Sequence, residues 1–535
     1  MLKYNYPNIN QKKLEDNILN RFSKDGFLSL KDLPNPSLLK DMDKATKRIV
    51  TAIKNREKII LIGDYDVDGV ISTTLVKTFF NEIDIKIDWI IPNRFKDGYG
   101  LNPSLIPKIE GYDLVITVDN GISAIDASKM CKERGIDLII TDHHLLSHKI
   151  PDAYAIIDQK QSDCNFPYDE ICGAQIAWYL IASLKNALNI QINIKYYLAL
   201  VSIAIIADMM PLMHINRVMV IVGIKLINNS HNPALIAFKE HINKNQLESD
   251  DIGFNIAPIL NSAGRIKDAS YSVDFLMSSN IYEARSKLEK LINFNNQRKK
   301  IEQNIINEAL SLVDNTQSIL ILVGDYWHEG VLGIISSRVS REYSKPSIIL
   351  TKSKNGDLKG SGRSFGDCNL FEITDKCRDY LNKFGGHHSA IGLSLDSNNL
   401  DNFKYKLEEE YNKKNYEESI FDPDILGQLE FKDINLHLTN MIRRYEPYGQ
   451  ENLRPKFITK NINIIKVDTM GKSKEHLRFT LEKDGFIFSG IKFKTTDKFL
   501  TGQQVSISYT INENYFRGKT TLQLMIDRID IIVYT

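Results

Sequence analysis

An acidic run that directly follows a short apolar run constrains this chain more than any other feature. Residues 59–62, Ile-Ile-Leu-Ile, precede a segment that places Asp64, Asp66 and Asp68 at alternate positions between two glycines. A short run that is apolar throughout is typical of a strand buried on both faces of a parallel sheet. A helical pattern follows, so the carboxylates fall at the carboxyl end of the strand, where open α/β sheets bind ligands. Three neighbouring negative charges repel one another unless a cation neutralises them. The alternative is an acidic turn that caps the helix.

Composition excludes several classes of protein. The 535 residues are enough for about three or four domains. The net charge of +1, from 68 basic and 67 acidic residues, identifies no partner. The five cysteines form no Cys-x-x-Cys pair, which argues against a disulfide framework or a structural zinc. The N-terminus has no apolar signal core, and Asp208 and Pro211 interrupt the most apolar stretch. We therefore expect a soluble cytoplasmic protein that does not enter a membrane.

An alternation of strands and helices begins at residue 46, after a polar N-terminal extension (1–45). It indicates an α/β domain over 46–230 with a mostly parallel sheet and helices on both faces. The strands are predicted at 58–63, 86–92, 113–118, 136–141 and 154–158.

Polar residues follow several of these predicted strands. Asp119 follows the third strand, Asp142-His143-His144 follows the fourth, and Arg94 follows the second. The carboxyl ends of parallel strands share one edge of a sheet, so Asp66, Asp68, Asp119 and His143 can converge. Aspartate and histidine suit Mn²⁺ or Mg²⁺, and imidazole favours Mn²⁺. Each residue taken alone is as well explained as a cap or a turn residue.

Asp208 lies within the apolar stretch Ile203 to Pro211. A carboxylate in such a place is costly unless it is paired, hydrogen-bonded or bound to a metal. Asp208 is therefore a further site candidate. The alternative is an aspartate near a helix end that backbone donors satisfy.

The middle of the chain predicts a helical region and a second α/β unit. Residues 231–317 contain a small-residue loop, 261–265, and a helix over 281–313 that would span about 50 Å and bridge two domains. Residues 318–415 form the second unit, with two small-residue loops at 359–364 and 383–388. Such loops expose backbone N–H groups, and Arg363 adds a planar fork for phosphate. Plain turns are the alternative.

The last part of the chain, 426–535, is β-rich. Strands at 456–468, 476–483, 485–493, 504–511 and 519–533 predict a small barrel such as an OB-fold. Aromatic rings interleave with cations there, which suits a single nucleic-acid strand; a barrel core with ordinary surface lysines is the alternative. These residues are Phe479, Phe486, Phe488, Tyr509, Tyr515 and Phe516, with Lys472, Lys474, Arg478, Lys492, Lys494, Arg517 and Lys519.

Taken together, the motifs resemble those of the DHH phosphoesterases, and among them the RecJ-type single-strand-specific 5′→3′ exonucleases. The resemblance covers about residues 46 to 535, and the order and spacing of its motifs are specific. The motifs are Gly-Asp-Tyr-Asp-Val-Asp-Gly at 63–69, Val-Asp-Asn-Gly at 118–121, Asp-His-His at 142–144, Ala-Asp-Met-Met-Pro-Leu at 207–212, Asn-Ser-Ala-Gly-Arg at 261–265, Trp-His-Glu-Gly-Val at 327–331, Gly-Ser-Gly-Arg-Ser at 360–364 and Gly-Gly-His at 385–387.

The resemblance implies a role for each motif residue. Two Mn²⁺ or Mg²⁺ ions would be held by Asp66, Asp68, Asp119, His143 and Asp208, with Asp64 close by or a further ligand. His144 would face the scissile phosphate as a catalytic residue together with Asp142. The terminal 5′-phosphate would bind at Arg94, Ser361, Gly362 and Arg363, and the nucleotide path would be lined by Arg265, His328 and His387.

The function that the resemblance implies is two-metal hydrolysis of single-stranded DNA, which releases mononucleotides from the 5′ end in repair and recombination. A monomer is expected, with a single-strand-binding protein and a RecQ-type helicase as partners. One alternative is a DHH phosphoesterase that cleaves pyrophosphate, short oligonucleotides or cyclic dinucleotides. Another is a catalytically silent DNA-binding scaffold.

The chain departs from the family pattern at a few positions, none of them an expected metal ligand. Gln175 replaces a customary Gly, and Ile259 replaces an Arg. His214-Ile215 replaces Gly-Glu, while Glu451 and Leu453 stand where Gly and Pro are usual. We expect these departures to affect packing and DNA affinity more than chemistry.

Overall fold

In the computed structural model, residues 5–146, 149–353, 356–414, 422–471, 476–495, 497–516 and 519–532 are described, apart from the side chains of residues 515, 516 and 519. The three sheets within these ranges each form the centre of one unit. The α/β class and the C-terminal barrel expected from the sequence are both confirmed.

The first sheet has five parallel strands in the order β2-β1-β3-β4-β5. The strands are β1 (Ile59–Ile62), β2 (Asp88–Ile90), β3 (Leu114–Val118), β4 (Asp137–Thr141) and β5 (Ala155–Ile157). The predicted strand positions agree with these bounds to within a few residues.

Both faces of this sheet are covered by helices. In β1, Ile59 and Leu61 belong to one apolar cluster and Ile60 and Ile62 to another, because successive side chains of a strand point to opposite faces. This explains why the strand is apolar at every position. The first seven helices of the chain are α1 (Gln11–Asn20), α2 (Met42–Asn55), α3 (Val67–Glu82), α4 (Ile125–Glu133), α5 (Gly173–Ala187), α6 (Leu198–Ala207) and α7 (His214–Asn228).

A helical region connects this unit to the next one. It contains α8 (Pro233–Ile242), α9 (Ser249–Asp251), α10 (Ala257–Ile266), α11 (Ser270–Leu276) and the 31-residue α12 (Ile281–Ser311). The first half of α12 packs into the core of the first unit and its last turns pack into the core of the second. The predicted bridging helix is therefore present. The segment 261–265, predicted as a loop, lies instead inside α10.

The second unit has a mixed sheet in the order β6-β7-β8-β10-β9. Its strands are β6 (Leu320–Gly324), β7 (Ser347–Lys352), β8 (Leu358–Arg363), β9 (Lys383–His387) and β10 (Ala390–Leu395), and its helices are α13 (Leu332–Tyr343), α14 (Leu370–Asp375) and α15 (Leu400–Asn412). The prediction of two small-residue loops was wrong, because these residues form β8 and β9. Gly360 is needed there for close packing, since a Cβ would lie 2.4 Å from a Leu350 side-chain carbon.

The C-terminal unit is a closed barrel in which β12 pairs with both β13 and β15. Its elements are β11 (Ile425–Gln428), α16 (Leu436–Arg443), β12 (Lys456–Met470), β13 (His476–Lys483), β14 (Phe486–Lys492), β15 (Gln504–Phe516) and β16 (Lys519–Ile531). The N-terminal extension contributes to the same core through Leu14, Ile18 and Phe22.

The barrel corrects part of the expected nucleic-acid surface. Phe479 and Tyr509 are fully buried core residues and cannot stack on a base, whereas Phe486 is exposed. Among the other residues of that set, Lys472, Lys474 and Arg517 and the side chains of Tyr515, Phe516 and Lys519 lie outside the described residues. Within the described ranges, no helix combines the length and apolar character needed to cross a membrane.

Candidate metal centre and phosphate pocket

Carboxylates and imidazoles meet at the carboxyl edge of the first sheet. The oxygen and nitrogen atoms that could bind a metal lie within 4.8 Å of one another in three overlapping groups. The groups are Asp64, Asp66 and Asp119; Asp68, His143 and Asp208; and Asp119, His143 and His144. The structure thus brings together all six residues expected to hold metal, and Asp64, whose place the sequence left open, is among them.

His143 lies at the centre of this arrangement. Its Nε2 is 3.1 Å from Oδ1 of Asp119, 3.6 Å from Oδ2 of Asp68 and 3.7 Å from Oδ2 of Asp208. Burial lowers the pKa of His143 to about 3, so its ring is neutral at physiological pH. A neutral imidazole has a lone pair to offer to a metal.

Two helix N-termini hold the carboxylates of the acidic run. Asp66 caps α3 and accepts a hydrogen bond from the backbone N–H of Gly69 at 3.1 Å. Asp68 accepts hydrogen bonds from the N–H groups of Gly173 at 2.6 Å and Ala174 at 2.8 Å, at the start of α5. Gly173 also leaves room for Asp119, because a Cβ there would lie 2.6 Å from Oδ1 of that residue.

Four oxygens of the remaining carboxylates are buried without a donor among the described residues. Both oxygens of Asp119 and one oxygen each of Asp64 and Asp208 are buried and have no hydrogen-bond partner among the described residues. Burial, and after it the neighbouring carboxylates, raises the pKa of Asp64, Asp119 and Asp208 well above the ordinary value. Unpaired buried carboxylates are costly, and divalent cations would relieve that cost. The donor set of carboxylates and one imidazole fits Mn²⁺ or Mg²⁺.

Asp142 and His144 form a pair beside the cluster. Oδ1 of Asp142 lies 2.7 Å from Nδ1 of His144, and Oδ2 accepts a hydrogen bond from the N–H of Ile122 at 2.9 Å. Burial alone would lower the pKa of His144, but its hydrogen bond to Asp142 raises it to about 9. His144 is thus a protonated imidazole in a fixed orientation, with nearly half of its side chain exposed.

Arginines collect where the helical region meets the second unit. Arg265 is half-buried and donates a hydrogen bond to the carbonyl oxygen of Gly330 at 3.0 Å. Burial, and then the charges of Arg94 and Arg298, lowers the pKa of Arg265 to about 10. Arg363 also contributes to this lowering. Several guanidinium groups that repel one another indicate a site for an anion.

Arg363 and Ser361 project from β8 toward the start of α13. A Cβ on Gly333, the second residue of α13, would lie 3.2 Å from both an Arg363 nitrogen and Oγ of Ser361. Gly362, between them, is buried, and its carbonyl oxygen accepts a hydrogen bond from Arg363 at 2.9 Å. The N-terminus of a helix favours negative charge, so this corner suits a phosphate group.

Two histidines of the second unit lie near the arginine cluster, since the charge of Arg94 acts on His328 and that of Arg363 acts on His387. Nδ1 of His328 accepts a hydrogen bond from the N–H of Gly330, and its ring lies 5.3 Å from the ring of Phe95, which follows Arg94 in the first unit. His387 is exposed at the end of β9. Burial and the nearby charge of Arg363 lower the pKa of His387, which places it beside the arginine cluster.

The sequence interpretation missed two tyrosines. The guanidinium of Arg94 lies over the ring of Tyr65 at 5.0 Å, and the ring of Tyr99 contacts those of Tyr65 at 6.0 Å and His144 at 6.1 Å. These rings connect the phosphate corner with the metal centre. Tyr65 lies inside the family motif at 63–69, whereas Tyr99 lies outside the family motifs. Nothing in the local pattern separated a site tyrosine from a packing one.

The structure shows what the departures from the family pattern do locally. Gln175 is buried and donates a hydrogen bond to Oδ1 of Asn216 at 2.9 Å, and Ile259 is a core residue. His214 and Glu451 stand where the family has glycine, and both have left-handed backbones, with φ of 44° and 60°. Residues other than glycine rarely adopt that conformation. None of these four side chains belongs to the metal-binding groups.

Comparisons with known proteins agree with this geometry. Family models match at residues 58–205 (DHH family, N-terminal domain), 316–413 (DHHA1 domain) and 425–528 (RecJ OB domain). The single-stranded-DNA-specific exonuclease RecJ of Haemophilus influenzae is 32% identical over 94% of this chain and 92% of its own length.

Crystal structures of RecJ from Thermus thermophilus have the same fold. The Mn²⁺ complex has a TM-score of 0.79 and 23% identity over 92% of this chain and 72% of that chain. The Mg²⁺ complex has a TM-score of 0.73 and 22% identity over 92% of this chain and 70% of that chain.

Proposed function

Because this chain belongs to the RecJ family of DHH proteins, we propose that it is a metal-dependent exonuclease that degrades single-stranded DNA from the 5′ end. It releases 5′-mononucleotides, and its role is in DNA repair and recombination. The observation that carries this proposal is that the charges of both Asp66, in the carboxylate cluster, and Arg363, in the phosphate corner, act on Arg265, so the two clusters lie near each other. In such an arrangement the phosphate corner can bind the terminal 5′-phosphate while the metal centre hydrolyses the adjacent phosphodiester bond.

The metal centre consists of Asp64, Asp66, Asp68, Asp119, His143 and Asp208, which would hold two Mn²⁺ or Mg²⁺ ions. Such ions, when bound, polarise the phosphoryl oxygens and lower the pKa of water. The distribution of the six residues over overlapping groups supports two ions. Asp119 and His143 each belong to two of the groups, and each would be a ligand of a bound ion.

The other residues bind and orient the strand. Asp142 holds His144 in a fixed orientation beside the metal centre, where its ring would donate a hydrogen bond to the scissile phosphate. Arg94, Ser361, Gly362 and Arg363 bind the terminal 5′-phosphate, which determines that one nucleotide leaves at a time. Arg265, His328 and His387 line the path of the nucleotide.

The proposed preference for a single strand requires a passage between the carboxylate cluster and the second unit that admits only one strand; Arg265 connects these parts through its hydrogen bond to Gly330. We assign residues 46–230 to catalysis, 318–415 to the phosphate pocket and 426–535 to the binding of the strand beyond this passage, with 1–45 and 231–317 as supporting parts. We further propose a cytoplasmic monomer that acts with a single-strand-binding protein and a RecQ-type helicase.

Digestion of a 5′-labelled and a 3′-labelled single strand, each with Mn²⁺, Mg²⁺ or chelator, tests the proposal. We expect the 5′ label to appear as a mononucleotide at once, and the 3′ label to stay on long products until late. Asp119→Ala should abolish release and retain DNA binding, whereas Asp126→Ala, at an exposed position of α4, should change little. Faster cleavage of dinucleotides than of long strands would favour a small-molecule phosphoesterase. Binding without cleavage by the unaltered protein would favour a silent scaffold.

A further inference from the structure

A loop of the C-terminal unit, Tyr445–Asn452 (the docking loop), packs against the catalytic unit. Arg217 of α7 donates hydrogen bonds to three consecutive carbonyl oxygens of this loop, those of Tyr445 at 2.9 Å, Glu446 at 2.7 Å and Pro447 at 3.4 Å. On the loop's inner side, Asn452 donates hydrogen bonds to the carbonyl oxygens of Tyr445 and Pro447. The backbone of the loop is therefore fixed from both sides.

Arg217 is an unusual residue for this contact. Only 7% of it is exposed, and within the described part of the chain no carboxylate forms an ion pair with it. The ring of Phe22 lies 5.0 Å from its guanidinium carbon. A buried cation without a counter-charge is costly compared with an apolar side chain. The fork of the guanidinium, however, fixes several carbonyl groups in one geometry, which an apolar residue cannot do.

The docking loop also contacts the backbone that follows a predicted metal ligand. The N–H of Leu212 donates to the carbonyl oxygen of Gln450 at 2.8 Å. A Cβ on Gly449 would lie 2.7 Å from the side chain of Leu212, so the loop backbone packs closely against that side chain. Asp208 stands four residues earlier, at the C-terminal end of α6. Oδ2 of Asp208 has no hydrogen-bond partner among the described residues. Its position therefore depends on the backbone, held by α6 on one side and by Leu212 on the other.

Strain is concentrated in the same contact. Between Asp208 and Leu212, Met209 has a left-handed backbone with φ of 56°, and His214 beyond them has φ of 44°. Within the docking loop, Glu451 has φ of 60°. Such conformations are strained and persist only where the surroundings impose them. Removing the docking contacts would allow this segment to relax, and Asp208 would move with it.

We propose that the docking loop positions Asp208, so that the barrel unit sets the metal affinity of the catalytic unit, with Arg217 as the positioning residue. The inference rests on the proposed function in so far as Asp208 is taken as a metal ligand. It gives the barrel a second role besides holding the strand.

The test uses the full chain with Arg217→Met, which keeps the aliphatic stem but removes the donors. Mn²⁺ binding to the DNA-free protein is measured by electron paramagnetic resonance. We expect the Mn²⁺ affinity to fall about 10-fold or more, which is the usual effect of replacing a residue that orients metal ligands. Hydrolysis of a short substrate, a 5′-phosphorylated trinucleotide, should slow together with that of long strands, and added Mn²⁺ should restore both. The Mn²⁺ affinity and the hydrolysis rates of Arg217→Lys should lie between those of the unaltered protein and those of Arg217→Met.

Arg443→Met is the matched control, because Arg443 is exposed on α16 and pairs with Glu513 within the barrel unit. If Arg217→Met does not fold, Gly449→Ala disturbs the same contact from the loop side. Unchanged Mn²⁺ binding with a loss confined to long strands would overturn the inference and leave the proposed function intact. A chain that binds Mn²⁺ but releases no nucleotides would overturn the proposed function, while the Mn²⁺ titration would still decide the inference.

Discussion

Replacing Asp119 by Asn should have opposite effects on stability with and without metal. Both oxygens of Asp119 are buried without a donor among the described residues, beside Asp64 and Asp66. In chelator, the substitution removes a negative charge that its neighbours repel, so the protein should become more stable. Asn also tolerates the left-handed backbone of this position, where φ is 61°. With Mn²⁺, the variant lacks a ligand and should lose the stabilisation that bound metal gives.

The size of the expected stabilisation follows from the distances between the carboxylates. Two unit charges 4.8 Å apart, the limit within this group, repel by about 3.5 kcal/mol at an effective dielectric constant of about 20. A shorter separation would increase this value, whereas partial protonation of Asp119, which its raised pKa indicates, decreases it. We therefore expect the free energy of unfolding in chelator to rise by about 2 kcal/mol, which corresponds to about 4–8 °C for a unit of this size. Mn²⁺ at 100 times its Kd should stabilise the unaltered protein by about 2.7 kcal/mol and the variant much less.

The sign of the pH dependence follows from the same carboxylates. A carboxyl group whose folded pKa is raised stabilises the protein below its unfolded pKa, and this contribution is lost as the pH rises through the folded value. Burial raises the pKa of Asp68 to about 6. In chelator, the stability of the unaltered protein should therefore decline from about pH 4 to beyond pH 6, and less steeply in Asp119→Asn.

The assay is thermal unfolding followed by circular dichroism, in chelator and in a Mn²⁺ series, for the unaltered protein, Asp119→Asn and Asp126→Asn. The last variant removes the same charge at an exposed position and should shift the transition little in either condition. A lower unfolding temperature of Asp119→Asn in chelator, or equal stabilisation of both proteins by Mn²⁺, would refute the reasoning.

Three further predictions concern packing and the phosphate pocket. Gly173→Ala would place a Cβ 2.6 Å from Oδ1 of Asp119. The resulting displacement of the Asp119 carboxylate should lower kcat at least 10-fold in a nuclease assay. Arg363→Ala should abolish the preference for a 5′-phosphate over a 5′-hydroxyl end, measured as a ratio of kcat/KM values. Leu14→Ala should destabilise the barrel unit by about 2–5 kcal/mol in urea unfolding, because Leu14 is fully buried in its core, whereas Leu19→Ala, on the exposed side of the same helix, should cost little.

Each of these changes has an informative contrary result. Gly253→Ala is the control for the first, since its Cβ would make only ordinary contact, at 3.5 Å, with Ile206; equal activity of both glycine variants would contradict the argument. For the second, Arg341→Ala removes an exposed guanidinium elsewhere in the second unit, and an equal loss of end preference would show a general charge effect. For the third, an equal loss of unfolding free energy in Leu14→Ala and Leu19→Ala would show that the N-terminal helix is not part of the barrel core.

The parallel sheet and its acidic edge could be predicted because their signals are local. Residues 59–62 are apolar at every position, and the polar residues that follow β1, β3 and β4 stand directly after those strands. Parallel pairing then brings them to one edge whatever the length of the connections. That is why Asp66, Asp119 and His143 could be expected to meet, although 77 positions separate the first from the last.

Small residues misled the prediction because the same composition serves loops and tight packing. Gly264 lies inside α10, where a Cβ would be 2.3 Å from the carbonyl oxygen of Tyr65. Oγ of Ser262 donates to the carbonyl oxygens of Ile259 and Leu291, so its polarity is satisfied within a helical core. Only the neighbours, which the local sequence does not reveal, distinguish this case from a turn.

Contacts between distant segments were beyond the sequence pattern. Nothing in residues 11–20 indicates that their apolar side packs against a barrel more than 400 residues later. Nor does the pattern around Arg217 indicate that its guanidinium binds carbonyl groups of the docking loop. Both contacts depend on which surfaces meet after the units have formed.

The shared core of the N-terminal helix and the barrel has a consequence for the biosynthesis of the chain. The hydroxyl of Tyr6 accepts a hydrogen bond from the N–H of Asp422, across 416 positions. Translation at about 5–20 residues per second leaves about 20–80 s between the appearance of these two partners. During that time the apolar side chains of Leu14, Ile18 and Phe22 have no barrel to cover them. A ribosome that stalls before the barrel is made would therefore carry a nascent chain whose N-terminal helix exposes apolar side chains. Such a helix would be expected to bind chaperones.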